Sequence, residues 1–188
     1  MSISITVFGS INMDLVVYSD VKPNDGETVF GNSFETFLGG KGANQAVAAS
    51  KLGSEVYFVG KVGNDLFGQR LREKLIAQNV CTDLLGEFEG ESGVALINVI
   101  ESTSENQIIV IPGANSQTSS NQIDDKTLSS TEILISQLEV LPEEIEKLFV
   151  RASNKNCYRI LNAAPAIGFS KTLFNETDLF VVNEIELE

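Results

Sequence analysis

Five runs of apolar residues recur along the chain, each closed by polar or turn-forming residues: ISITVFG (3–9), EVYFVGKVG (55–63), EILISQLE (132–139), YRILNAAP (158–165) and LFVVNE (179–184). Runs that are apolar at nearly every position, rather than at alternate ones, predict strands covered on both faces, as in a parallel sheet. The segments between them change period. KGANQAVAASKLG (41–53), DLFGQRLREKLIAQN (65–79) and PEEIEKLFVRASN (142–154) read as helices. Asn64 or Asp65 is placed to cap the second. The third opens with Pro142, which has no amide to leave unbonded, followed by two glutamates that suit the positive helix end. Strand–helix alternation of this kind predicts an α/β fold, a Rossmann-type open parallel sheet flanked by helices.

Two places break the alternation. DLVVYS (14–19) with ETVFGNSFETF (27–37), and GVALINVIES (93–102) with NQIIVIPG (106–113), are alternating or β-branched segments joined by short polar turns. No helix lies inside either pair, so each reads as an antiparallel hairpin outside the main sheet. Together they predict one small sheet covering the mouth of the α/β body. The polar stretch NSQTSSNQIDDKT (115–127) reads as a surface connection leading into a weak helix.

Composition narrows the functional classes. A chain of 188 residues with 43% hydrophobic content supports one sizeable core. A net charge of −13, with no basic run, argues against nucleic acid or an anionic membrane as partner. Cys81 and Cys157 are too few for a disulfide framework and lack metal-ligand spacing. The absence of histidine removes the commonest general base and zinc ligand, leaving chemistry to carboxylates, lysine, backbone amides and a bound metal. MSISITVFGS lacks a basic leader, and no run approaches the roughly 18 residues of a membrane span, so a cytoplasmic location is expected.

The candidate chemistry begins at GSINMD (9–14), where Asn12 and Asp14 share one face of an extended segment. An amide beside a carboxylate suits a pair of sugar hydroxyls, although Asn and Asp also close turns on their own backbone. FLGGKGANQAVAASKLG (37–53) looks like a phosphate loop but fits neither common pattern. Lys41 is followed by Gly42 rather than Ser or Thr, and the first strand is not followed by G-x-G-x-x-G. Gly40, Lys41 and Asn44 nevertheless stand where a helix begins. Glu139 ends one strand, and Asn183 with Glu186 ends another, the edge at which open parallel sheets bind ligands.

In order, GSINMD, GETVFG, GGKGANQAVAASKLG, VGNDLFG, GVALI, IPGAN, QLE, NAAPA and NEIELE resemble the ribokinase family of PfkB-type carbohydrate kinases, from Ser10 to the last residue. The resemblance implies that Asn12, Asp14, Gly40, Lys41, Asn44 and Glu139 surround a pentose. It implies that Asn183 and Glu186, as N-x-x-E, organise magnesium and the nucleotide phosphates without a direct metal ligand among them. The hairpins, about 14–37 and 93–113, match a lid that also forms a homodimer interface. The implied activity is ATP-dependent phosphorylation of D-ribose to ribose 5-phosphate, with Mg2+ and a monovalent cation such as K+. Residues 1–188 match the N-terminal portion of the family. Its catalytic aspartate lies in a G-A-G-D-type motif that is absent here, so no catalytic residue is assigned in this chain. The alternatives are a non-catalytic sugar-binding module and a related kinase for another sugar or a nucleoside.

Overall fold

The computed structural model describes residues 3–184. Strand β1 (Ser4–Phe8) is followed by β2 (Asn12–Ser19), β3 (Ser33–Gly39), helix α1 (Lys41–Lys51), β4 (Glu55–Gly63) and α2 (Leu66–Ala77). Next come β5 (Leu85–Phe88), β6 (Gly93–Ile100), β7 (Glu105–Ile111), two 3-10 turns and α3 (Asp125–Ser130). The chain continues through β8 (Ile133–Gln137), α4 (Pro142–Ser153), β9 (Tyr158–Asn162), α5 (Lys171–Asn175) and β10 (Leu179–Val181).

Among the described residues the main sheet has the order β10-β9-β8-β1-β4-β5, and every neighbouring pair is parallel. From β1 the chain winds outward through β4 and β5, then crosses over and winds the other way through β8, β9 and β10. The direction changes between β1 and β8, and the crevice outside their carboxyl ends is the place where such sheets bind ligands.

Alternate strand residues point to opposite faces, which divides the core in two. Ile5, Val7, Val56 and Phe58 pack against Ala43, Ala46, Leu71 and Leu75 of α1 and α2. On the other face Phe8, Val59, Leu134 and Leu161 meet Ile145, Leu148 and Phe149 of α4. Each large side chain buried in this way contributes about 1.5–3 kcal/mol relative to exposure. Asp65 caps α2, accepting from the Gly68 amide at 2.7 Å, and the same carboxylate takes the Ser92 amide and hydroxyl at 2.8 and 2.7 Å. The entry to β6 is thereby fixed to the body.

The second sheet has the order β3-β2-β6-β7. Both hairpins are antiparallel as expected, and they are joined by a parallel seam between β2 and β6. Its limits differ from the sequence reading. β2 begins at Asn12, whereas residues 27–32 lie outside β3 because a turn closed by the Glu27 amide on the Asn24 carbonyl (2.9 Å) bends the chain there. The stretch 115–127 is also not simply a surface connection. Asn115, Thr118, Ser120 and Ile123 are buried, and Glu144 of α4 accepts from the Ser120 amide and hydroxyl at 2.7 and 2.8 Å. No helix among the described residues is long and apolar enough to cross a membrane.

Candidate functional site

The turn after β1 and the residues after β8 meet at the crossover point. Gln137 lies over Gly9, where any Cβ would collide with its side chain. Its Nε2 donates to the Phe8 carbonyl at 3.2 Å, and its Oε1 accepts from the Ser10 amide at 3.2 Å. Glu139 then reaches across β1, where its Oε2 accepts the Ser10 hydroxyl at 2.6 Å. Ser10 was not among the expected site residues, yet it anchors both neighbouring loops.

The GGKG loop is thin because three surfaces crowd it. At Gly39 a Cβ would occupy the space of the Asp14 carboxylate. Gly40 has φ 87°, a conformation that glycine adopts readily. At Gly42 a Cβ would stand 2.7 Å from the Ser10 backbone nitrogen and oxygen. Helix α1 has no local side-chain cap, so its first amides find distant partners. The Lys41 amide donates to Glu139 at 2.9 Å, the Gly42 amide to the Ser10 hydroxyl at 3.3 Å and the Ala43 amide to the Ser10 carbonyl at 2.9 Å. With these amides engaged and a carboxylate at the helix start, the loop is not arranged as a phosphate cradle.

Lys41 also places its ammonium 2.5 Å from Glu139. Burial works against the Glu139 charge, but hydrogen bonds from Lys41 and Ser10 outweigh it and hold the carboxyl below its ordinary value. On β2, Asn12 is 3% exposed and its orientation is set by Asn115. Asn115 accepts the Ile11 amide at 2.9 Å, then donates to the Ile11 carbonyl at 3.1 Å and to Asn12 Oδ1 at 2.7 Å. That network commits the Asn12 oxygen as an acceptor and leaves its NH2 as the group available to a ligand. Two residues on, Asp14 lies on the same face of β2 and leans over Gly39. Burial, then the charge of Glu139, push its carboxyl up to about 6, while Lys74 pulls it down.

Asn12, Lys41 and Glu139 line a cleft of about 390 Å³ with Ser10, Asn115 and an apolar wall that includes Val110. The volume falls within the roughly 300–1,000 Å³ of small-molecule sites. Asn44 is exposed and lines a neighbouring groove with Phe37, Leu38 and Lys74 rather than this cleft. Asn183 follows β10, two strands beyond β8, and Glu186 lies outside the described residues. Among the described residues no cluster of three or more Cys, Asp or Glu is placed to hold a metal ion. Asp14 and Gly40 stand beside this cleft rather than in its lining. A fixed donor, a carboxylate and a lysine against an apolar wall, with a second carboxylate on the adjoining face of β2, suit a neutral, polyhydroxylated ligand.

Comparison with known proteins agrees with that chemistry. The description "pfkB family carbohydrate kinase" matches residues 2–188. Ribokinase of Bacillus subtilis (strain 168) is 38% identical, covering 97% of this chain and 63% of that protein. Deoxyribokinase of Salmonella typhimurium is 36% identical, covering 98% of this chain and 61% of that one. Arabidopsis thaliana ribokinase, solved in complex with ribose and ATP, has a TM-score of 0.87 and 28% identity, covering 100% of this chain and 62% of its own. The chain thus spans about three fifths of the length of these relatives. The chain belongs to the pfkB family of carbohydrate kinases.

Proposed function

We propose that these residues form the sugar-binding part of a ribokinase-like enzyme that transfers phosphate from ATP to D-ribose, giving ribose 5-phosphate. The observation that carries the reading is the Asn115–Asn12–Asp14 array beside Lys41–Glu139 at the crossover point of the sheet. Asn12 donates and Asp14 accepts, a pairing that fits two adjacent hydroxyls. Gly40 keeps the loop thin enough for the sugar to approach, and Lys41 and Glu139 close the opposite side. Asn44 contributes from the neighbouring groove if the sugar extends towards α1. The relatives named ribokinase and deoxyribokinase, and the neighbour solved with ribose and ATP, support this substrate class.

The second sheet acts in this reading as the lid over the sugar, and its opposite face pairs two copies as a homodimer. A cytoplasmic location accompanies the activity. Asn183 and Glu186 are assigned to organising magnesium around the nucleotide, with K+ as the monovalent cation. The described residues provide no metal cage, so the reading routes no step through a bound ion. This chain's own contribution is to orient the acceptor hydroxyl and shield it from water, which raises the effective concentration of the reacting groups.

A second reading of the same cleft is a sugar-binding module without catalysis, because its lining holds donors and acceptors for a sugar. Calorimetry with ribose and a coupled ADP-release assay separate the two. Ribose binding supports the sugar site in either reading, and ribose-dependent ADP release supports the kinase. No ribose binding, with the fold verified by circular dichroism, overturns the sugar site itself.

A further inference from the structure

Asp14 combines half-burial with a lack of support. Among the described residues no hydrogen bond or ion pair holds its carboxylate, which faces the nearby charge of Glu139 and occupies the space that a Gly39 side chain would need. One cation acts against that repulsion, and it comes from an unexpected element. Lys74, in the last turn of α2, packs between body and second sheet, and its ammonium donates to the Thr36 carbonyl of β3 at 3.2 Å. Thr36 precedes Phe37, the residue that faces Asp14 across the β2–β3 ladder. Lys74 and Phe37 line the same groove, so the lysine lies behind the sugar-facing side of the site rather than in its cleft.

We propose that Lys74 is a positioning residue for the sugar site, tying strand β3, beside which Asp14 lies in the ladder, to the body through Thr36 and setting a positive charge on the Asp14 side of that strand. Two tasks meet in one ammonium. The bond to Thr36 fixes the strand over which Asp14 leans, and the charge offsets the repulsion from Glu139. The groups whose charges act on Asp14 are Glu139, beyond β8, which opposes its ionisation, and Lys74 from α2, which favours it. Burial and Glu139 place Asp14 near a midpoint of about 6, with Lys74 holding it from rising further. A site that depends on an ionised acceptor weakens as the pH falls towards the Asp14 midpoint, and Lys74 acts to keep that midpoint lower. Lys74 also suits the negative end of α2, a role that any cation at that position would fill without reference to Asp14.

The inference rests on Asp14 being a sugar contact, and the test separates the two ideas. The Asp14 carboxyl is titrated by carbon-13 NMR in the intact chain, in the parent and in K74Q, K74M and K74R. Ribose affinity is measured by calorimetry across the same pH range. Loss of the cation in K74Q or K74M is expected to raise the Asp14 midpoint by roughly half a unit or more, and K74R is expected to restore it. The acid limb of ribose binding moves with it, so that K74Q binds about 1.5-fold (half-unit shift) to about threefold (full-unit shift) more weakly than the parent near pH 6.5 but approaches it at pH 8.5. An unmoved Asp14 midpoint in both neutral variants overturns the inference. So does a K74R protein that titrates like K74Q. If D14N binds ribose as tightly as the parent, the sugar-contact assignment fails instead, a result that the NMR titration does not depend on.

Discussion

Replacing Asp14 with Asn is expected to stabilise the protein while weakening the proposed sugar site. In the folded chain the carboxyl is raised from 3.8 to about 6, by burial first and Glu139 second. A carboxyl with a raised folded-state value contributes stability that is complete below pH 3.8 and is lost as the pH rises through about 6. At one pKa unit per 1.36 kcal/mol the full shift corresponds to about 3 kcal/mol. Part of the group faces solvent, and discounting for screening leaves about 1–2 kcal/mol. Urea unfolding of the parent and D14N at pH 8 and at pH 3.5 measures it. D14N is expected to be more stable by that amount at pH 8 and nearly equal to the parent at the lower pH. Ribose affinity should fall by about 1.5–3 kcal/mol, the worth of a hydrogen bond to a charged group. A D14N protein less stable than the parent at pH 8, or a gap that does not change with pH, would refute the reasoning.

Other perturbations test the supporting geometry. Gly42→Ala drives a methyl against the Ser10 backbone and is expected to cost about 1–3 kcal/mol in denaturant unfolding, whereas Gly168→Ala, with open space around it, is expected to be near neutral. Glu139→Ala strands the Lys41 amide and is expected to cost roughly 2–4 kcal/mol at pH 7, with little from the partly exposed ammonium. Because the Glu139 carboxyl is held below 4.5, its contribution is present above that value, so the gap should close as the pH falls further. Leu96, Val17, Phe34 and Ile109 form an exposed apolar patch on the second sheet, and Leu96 lies on the face opposite Asp14. If the proposed dimer forms through this patch, the parent sediments as a dimer and Leu96→Lys as a monomer, and a monomeric parent or an unchanged dimer mass would count against it.

The strands of the main sheet were legible because their apolar runs are nearly continuous, and β4 begins and ends where its run does, at Glu55 and Gly63. Strand β5 was not. Its four residues, LGEF, mix glycine and glutamate, and it is a strand only because β4 offers a free edge beside it. The five residues of α5 likewise depend on the Ser170 cap and on Leu173 entering the core. In the site, Asn12, Asp14, Lys41 and Glu139 carried signals in their spacing and strand-end positions. Asn115 stood in the IPGAN string, but its role depends on a contact with Ile11 more than 100 residues away, which no local pattern encodes. Ser10 was hidden in a turn motif. Lys74 resembled any solvent-facing lysine near the end of a helix, and only the packing of α2 against β3 gives it a distinct role.

The parallel seam between β2 and β6 bears on how the molecule is made. Each hairpin forms from neighbouring residues, but the seam sets Asn12 beside Gly93, roughly 80 residues later, and contacts of that span form slowly. A ribosome will have released β4, α2 and β5 before β2 meets its second partner, so the first hairpin waits with an open edge. Such an edge invites pairing with another nascent chain. Glu35 within β3 and Asp20 just past β2 put negative charge around that waiting hairpin, in a protein already strongly acidic. Mutual repulsion between unfinished copies thus guards the interval before the seam closes.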